Sequence, residues 1–238
     1  MLQQLTEQVW YLPHEEERDR PVLTYIRGRE LSIAVDAGSS PAHVNEFYGA
    51  LRAAGLPLPT LTVLTHWHWD HSFGLCAVAG QTLCSQKTAQ KLMEVRRWQW
   101  TEAAMEQRLL THEDIPFCHE HMLKEYPHPE DIRVQVPAVT LEGGMELDLG
   151  DMLIRLFTCD SPHSRDALLV DAGEALIIGD AGYEDFYELD RAYDPARLSS
   201  WIQRMQLSPA RWLIQGHQEP VLLQDALTEW NTILRSIL

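Results

Sequence analysis

Short apolar runs between polar segments recur along the chain and predict β-strands. In the first half they lie at residues 9–12, 22–26, 31–35 and 61–65, with a predicted helix at 41–54. The second half offers strands at 140–147, 152–157, 167–170, 175–178 and 211–214, and helices at 195–206 and 221–238. Two β-rich halves flanked by helices predict an α/β protein. A chain of 238 residues with 45% hydrophobic content suits one domain spanning residues 1–238.

A dense cluster of residues that can bind metal follows the strand predicted at residues 61–65. His66, His68, Asp70 and His71 occupy six positions, directly after an apolar run. Imidazole and carboxylate groups are donors that suit Zn²⁺, and a strand end holds them at fixed separation. One catalytic ion usually takes about three protein ligands, so four donors favour two neighbouring ions. The alternative is coincidence in a chain with 11 histidines, which the density of the cluster disfavours.

The pattern His-x-His-x-Asp-His at residues 66–71 is the signature of the metallo-β-lactamase superfamily, and the resemblance extends along the chain. Three later apolar runs each end in the donor that this family places there. These donors are His163 in Cys-Asp-Ser-Pro-His-Ser, Asp180 after Leu-Ile-Ile-Gly, and His217 after Trp-Leu-Ile-Gln-Gly. Asp36 matches the family's early strand-Asp-x-Gly element, and we interpret it as orienting a ligand, with a turn-forming role as the alternative.

The resemblance implies a four-layer αββα sandwich with two divalent metal ions. His66, His68 and His163 would hold one ion, Asp70, His71 and His217 would hold the other, and Asp180 would bridge them. Zn²⁺ is the expected metal, with Fe or Mn as alternatives. The implied activity is hydrolysis, in which a bridging hydroxide attacks the acyl carbon of an ester, lactone, thioester or related small-molecule substrate.

Two residues are candidates for catalysis beyond metal binding. Asp70 can accept the proton released as water becomes the nucleophile. Tyr183, three residues after Asp180, resembles the Asp-x-x-Tyr element of acyl-homoserine lactonases, in which the phenol assists at the substrate carbonyl; an ordinary packing role is the alternative. The alternative activities are a phosphodiesterase on a small substrate and an iron-dependent oxygenase or redox protein on the same fold. A non-catalytic binding module is disfavoured because all seven ligand positions are filled.

Charge and composition limit the classes of binding partner that we expect. A net charge of −16 argues against nucleic acid, because phosphate binding relies on clustered Lys and Arg. No apolar run approaches the roughly 20 residues of a membrane span, and the N-terminus lacks the pattern of a secretory signal. The four cysteines have no Cys-x-x-Cys spacing, which is typical of a reduced, cytoplasmic protein.

The segment from residue 86 to about 129 is an insertion between the first donors and His163. Its apolar residues recur at helical spacing and predict one long helix, followed by a shorter helix around residues 119–124. We interpret the insertion as a lid over the metals that carries Trp98 and Trp100, which cannot share one helix face. The alternatives are packing against the sandwich and a contact in a homodimer.

Overall fold

The computed structural model describes residues 1–189 and 192–238. Seven strands form the first sheet in chain order. They are β1 (Gln3–Gln4), β2 (Val9–Leu12), β3 (Leu23–Arg27), β4 (Ser32–Val35), β5 (Leu61–Val63), β6 (Gln81–Ser85) and β7 (Val139–Leu141). The strands β1 to β4 pair antiparallel, and β4 to β7 pair parallel.

The second sheet has the strand order β13-β12-β11-β10-β9-β8. Its strands are β8 (Gly144–Asp148), β9 (Leu153–Thr158), β10 (Leu168–Asp171), β11 (Ala175–Gly179), β12 (Trp212–Gln215) and β13 (Val221–Leu222). Only β11 and β12 pair parallel; the other neighbours are antiparallel. This parallel pair directs the C-terminal ends of β11 and β12 to the same edge of the sheet.

The α-helices in the described part of the chain flank the sheets or form the insertion. They are α1 (Pro41–Ala53), α2 (Trp69–Ser72), α3 (Gln86–Val95), α4 (Glu102–Leu110), α5 (Pro116–Glu125), α6 (Pro195–Met205) and α7 (Leu223–Ile237). Short 3₁₀ helices cover Phe73–Ala77 and Pro129–Asp131. Among the described residues, no helix is long and apolar enough to cross a membrane.

Side chains that point alternately to the two faces of each sheet build the layers of the fold. In β4, Ile33 and Val35 face the core between the sheets, whereas Ala34 faces α1. In β10, Leu168 contacts that same core and Leu169 packs towards α6 and α7. Burial on both faces explains why the central strands are continuous apolar runs. The predicted four-layer αββα sandwich is confirmed.

Among the elements that differ from the sequence prediction are strands β6, β7 and β8. The single strand expected at 140–147 is divided between the sheets: β7 pairs with β6, β8 pairs with β9, and the chain changes sheet at Gly143, whose φ is +84°. Strand β6 lacks the apolar pattern that marks its neighbours and was not predicted.

The single long helix predicted at the start of the insertion is also wrong, because the chain breaks between α3 and α4. Thr101 caps α4 by accepting a hydrogen bond from Ala104 N at 3.3 Å. Trp98 and Trp100 lie in the break, and the guanidinium of Arg108 in α4 lies over their rings at 4.6 and 4.7 Å. The helical spacing therefore reflects a shared apolar core, not one continuous helix. The shorter helix predicted around residues 119–124 is confirmed as α5.

Asp114, in the turn between α4 and α5, gives the insertion a pH-dependent stability. Burial raises the pKa of this carboxyl from 3.8 to about 6, although the Ile115 amide, Arg108 and Tyr187 oppose the shift; Cys118 is its other titratable neighbour. The folded state therefore keeps this proton between about pH 4 and pH 6, where the unfolded chain has lost it, and stability falls as the pH rises through that range.

We expect Asp114→Asn to remove this loss. Relative to the parent, its free energy of unfolding should rise by about 2 kcal/mol between pH 4 and pH 6.5, measured by urea denaturation. The exposed neighbour offers a control, since Glu113→Gln should follow the parent curve. Parallel curves for Asp114→Asn and the parent would contradict the prediction.

Candidate metal centre

All seven predicted donors lie at one edge of the sandwich. The segment His66–His71 follows β5 and enters α2, so its donors sit where a parallel strand ends. His163 lies in the loop between β9 and β10, Asp180 directly follows β11, and His217 comes two residues after β12. The strand ends of both sheets thus bring residues up to 151 positions apart in sequence into one site, as the sequence predicted.

The donors form two groups, each with ligand atoms within 4.8 Å of one another. One group is His66, His68 and His163; the other is Asp70, His71, Asp180 and His217. Six of the seven residues are buried, and the His217 side chain is 24% exposed. Either group could hold a metal ion.

Asp180 lies between the two groups. Its Oδ2 is 3.3 Å from His217 Nε2 in its own group and 3.8 Å from His163 Nε2 in the other. Its Oδ1 is 3.3 Å from His71 Nε2. One carboxylate therefore has an oxygen near donors of both groups.

Three of the histidine rings are oriented towards the donor groups by partners of their Nδ1 atoms. The Nδ1 atoms of His71, His163 and His217 lie 2.7 Å from Asp36 Oδ2, 2.7 Å from Glu184 O and 3.2 Å from Asp19 Oδ1. With Nδ1 occupied, each ring presents Nε2 to the site. Asp36 also accepts hydrogen bonds from Thr65 N and Oγ1, so it links His71 to the end of β5.

The residues fit a metal ion on two observations. His66 Nε2, His71 Nε2 and Asp180 Oδ1 are buried and make no hydrogen bond within the described residues. Oxygens of Asp70 and Asp180 approach His71 Nε2 to 3.1 and 3.3 Å, but without hydrogen-bond geometry. These buried atoms, one in the first group and two in the second, keep lone pairs that a cation could take.

The charge balance of the second group also favours a cation. Burial alone disfavours a charged imidazole, yet the carboxylates of Asp70 and Asp180 outweigh it and raise the pKa of His71 well above its usual value. For His217, Asp180, Asp19 and Asp70 likewise overcome burial and raise the pKa. In the first group, burial lowers the pKa values of His66 and His68, which leaves neutral imidazoles suited to ligation.

A cavity of about 300 Å³ opens onto both groups and touches His68, Asp70, His163, Asp180 and His217. Tyr183 lines it, and the Tyr183 hydroxyl accepts a hydrogen bond from His217 N at 3.3 Å. Burial raises the pKa of Tyr183 above its usual value, so the phenol keeps its proton at neutral pH.

The insertion forms part of this cavity and part of the core. Phe117 and Cys118 of α5 line the cavity beside the donors. Trp100, by contrast, is 9% exposed and packs edge-on against Phe73, with ring centroids 5.2 Å apart. Part of α5 therefore lines the cavity at the donors, while Trp100 belongs to the core of the insertion.

Sequence reasoning missed Asp19 and Tyr187, which line the cavity. Asp19 sits in a run of charged residues with no distinguishing pattern, and it adopts a φ of +57°. The next residue, Arg20, makes two hydrogen bonds of 2.9 Å to Glu125 of α5, whose side chain is fully buried. The insertion thereby holds the loop that carries Asp19.

The fold and the paired donor groups define an αββα protein with a candidate two-ion centre. The family model of the metallo-beta-lactamase superfamily matches residues 19–217, and the chain belongs to that superfamily. A search of curated proteins found no significant match.

Solved structures show the same fold. A metallo-beta-lactamase from Pontibacter korlensis has a TM-score of 0.69 at 15% identity, with 99% of this chain and 98% of that chain covered. One from Hirschia baltica has a TM-score of 0.62 at 15% identity, with coverage of 98% and 97%. A metallo-beta-lactamase family protein from Thermus thermophilus has a TM-score of 0.67 at 15% identity, with coverage of 98% and 81%.

Proposed function

We propose that this protein is a dinuclear metal-dependent hydrolase that cleaves an ester, lactone, thioester or related acyl bond of a small molecule. The observation that carries this proposal is the position of Asp180 between two compact donor groups at the floor of a cavity. The cavity volume of about 300 Å³ lies at the lower end of the range typical of small-molecule sites.

The ligand roles follow from the two groups. His66, His68 and His163 would hold one ion, Asp70, His71 and His217 would hold the second, and Asp180, which lies near donors of both groups, would contribute to both. When bound, two divalent ions, Zn²⁺ on the chemistry of these donors, lower the pKa of water and polarise a carbonyl.

The protein's own groups orient the reacting carbonyl and receive a proton. Because the Tyr183 oxygen accepts from His217 N, its O–H can point into the cavity and donate to the carbonyl oxygen. Asp70 lines the same cavity, 3.1 Å from His217 Nε2, and accepts the proton lost by the attacking water.

The contact between Arg20 and Glu125 of α5, here called the brace, should affect metal binding. Glu125→Gln removes the charge from the buried partner of Arg20 and loosens the loop that holds Asp19 against His217. We expect a loss of about 3 kcal/mol in the free energy of unfolding and a 10- to 100-fold weaker affinity for one of two Zn²⁺ ions. Urea denaturation and competitive Zn²⁺ titration measure the two effects.

Glu46→Gln is the matched control, because Glu46 also pairs with Arg20, at 2.8 Å, but its side chain is 56% exposed. An exposed pair contributes about 1 kcal/mol or less. Equal effects of the two substitutions would contradict the brace.

A substrate panel tests the proposed function. The Zn²⁺-loaded protein is assayed with a lactone, a thioester, the β-lactam nitrocefin and bis(4-nitrophenyl) phosphate, before and after chelation. We expect acyl hydrolysis that chelation abolishes, that His163→Ala loses, and that His128→Ala retains, because His128 is exposed and outside both groups. Acyl turnover by metal-free protein, or cleavage of the phosphodiester ahead of all acyl substrates, would overturn the proposal.

A further inference from the structure

A second cavity, of about 440 Å³, adjoins the metal-site cavity. Both are lined by His68, His163 and Tyr187. The second cavity, here called the indole chamber, extends from these residues past Trp67 and Trp98. It therefore opens beside the three-histidine group, where the acyl substituent of a substrate bound at the metals can reach it.

Tyr187 stands between the two cavities. Its ring lies 5.0 Å from the His68 ring and 5.4 Å from the Trp67 ring, measured between centroids. Its hydroxyl donates to Cys118 Sγ at 3.4 Å, which fixes the ring against α5. A substrate that spans both cavities must pass along the face or edge of this ring.

Both indoles of the chamber are held by the protein. The backbone amide of Trp67 donates to Asp166 Oδ2 at 3.0 Å, that buried carboxylate also accepts from Thr88 Oγ1 at 2.7 Å, and the Trp67 ring packs against Tyr187. Trp98 packs against the Arg108 guanidinium at 4.6 Å and against Trp100 at 5.8 Å. Fixed aromatic walls lower the ordering cost of binding a flat apolar group.

The cations around the chamber already have carboxylate partners. Lys87 lies 3.0 Å from Asp160, Lys91 lies 3.4 Å from Glu94, and Arg165 lies 3.2 Å from Glu188. A charged ligand group would compete with these pairs, whereas an uncharged group leaves them intact. The chamber is thus matched to a neutral occupant.

We infer that the indole chamber binds an uncharged aromatic acyl substituent, while the carbonyl of the same substrate lies at the metal centre. This inference rests on the proposed function. It predicts a preference within the proposed substrate class. Acyl compounds that carry an aryl group are preferred over short aliphatic ones with the same leaving group.

Thioesters of N-acetylcysteamine with acetyl, cyclohexylacetyl, phenylacetyl and 4-carboxyphenylacetyl groups test the inference. We expect kcat/KM to be highest for phenylacetyl in the Zn²⁺-loaded parent. In Trp98→Ala, the ratio of phenylacetyl to acetyl should fall roughly tenfold. Trp98→Phe should restore part of that ratio, and Trp10→Ala should leave it unchanged, because Trp10 is a half-buried indole that packs by the first sheet and α1.

Binding of phenylacetamide, measured by calorimetry on the same proteins, separates this inference from the proposed function. Phenylacetamide binding that Trp98→Ala weakens would support the chamber even if no thioester were hydrolysed. Hydrolysis with no aryl preference, together with equal phenylacetamide binding by the parent and Trp98→Ala, would overturn the inference and leave the hydrolase proposal standing.

Discussion

Asp180→Ala should lose bound metal and acyl hydrolysis together. This carboxylate approaches donors of both groups, and without it two cations would face each other with one negative charge fewer between them. We expect fewer than two Zn²⁺ ions per chain and a fall in turnover of at least about 10³, since the ions supply most of the catalytic chemistry. Metal analysis after gel filtration and steady-state kinetics measure both.

Asp171→Ala is the matched control for this substitution. Asp171 is also a buried carboxylate at a strand end, on β10 next to β11, but it pairs with Arg155 at 3.2 Å and lies outside both donor groups. It should keep the metal content of the parent. Two tightly bound ions and normal turnover in Asp180→Ala would contradict the bridging role.

Tyr183→Phe should lower turnover by about 10² to 10³ and leave the metal content unchanged. The phenol acts at the substrate oxygen in our proposal, and its hydroxyl contacts the backbone of His217 but belongs to neither donor group. The effect should appear in kcat more than in KM, because the oxygen becomes a stronger acceptor as charge develops on it.

Tyr193→Phe controls for the loss of a nearby, half-buried hydroxyl. Tyr193 donates to Gly182 O at 3.1 Å and does not line the cavity at the metal centre. Its removal should affect stability and spare kcat. A Tyr183→Phe variant as fast as the parent on every acyl substrate would assign Tyr183 to packing.

The donor positions were accessible to sequence reasoning because each follows an apolar run. An apolar run followed by polar residues predicts a strand that ends in a loop, and strands of both sheets end at one edge in this fold. The apolar runs mark His163, Asp180 and His217 as strand-end residues, and the resemblance to the metallo-β-lactamase superfamily is what placed them beside the 66–71 cluster.

Other features depend on contacts between distant residues. Asp19 faces His217 only because Arg20 is anchored on Glu125, 105 positions away. The break between α3 and α4 is accompanied by packing of Arg108 on two indoles, and the division of residues 140–147 depends on which sheet offers each half a partner. Local patterns do not encode such pairings, so periodicity alone predicted one helix and one strand in these places.

Zinc titration of the metal-free protein tests the two-ion centre most directly. Increasing Zn²⁺ is added while bound metal and hydrolysis of an acyl substrate are followed in the same samples. We predict saturation at two ions per chain, with full activity reached only as the second site fills. Full activity with one ion per chain, or no binding beyond that of unfolded protein, would contradict a dinuclear centre.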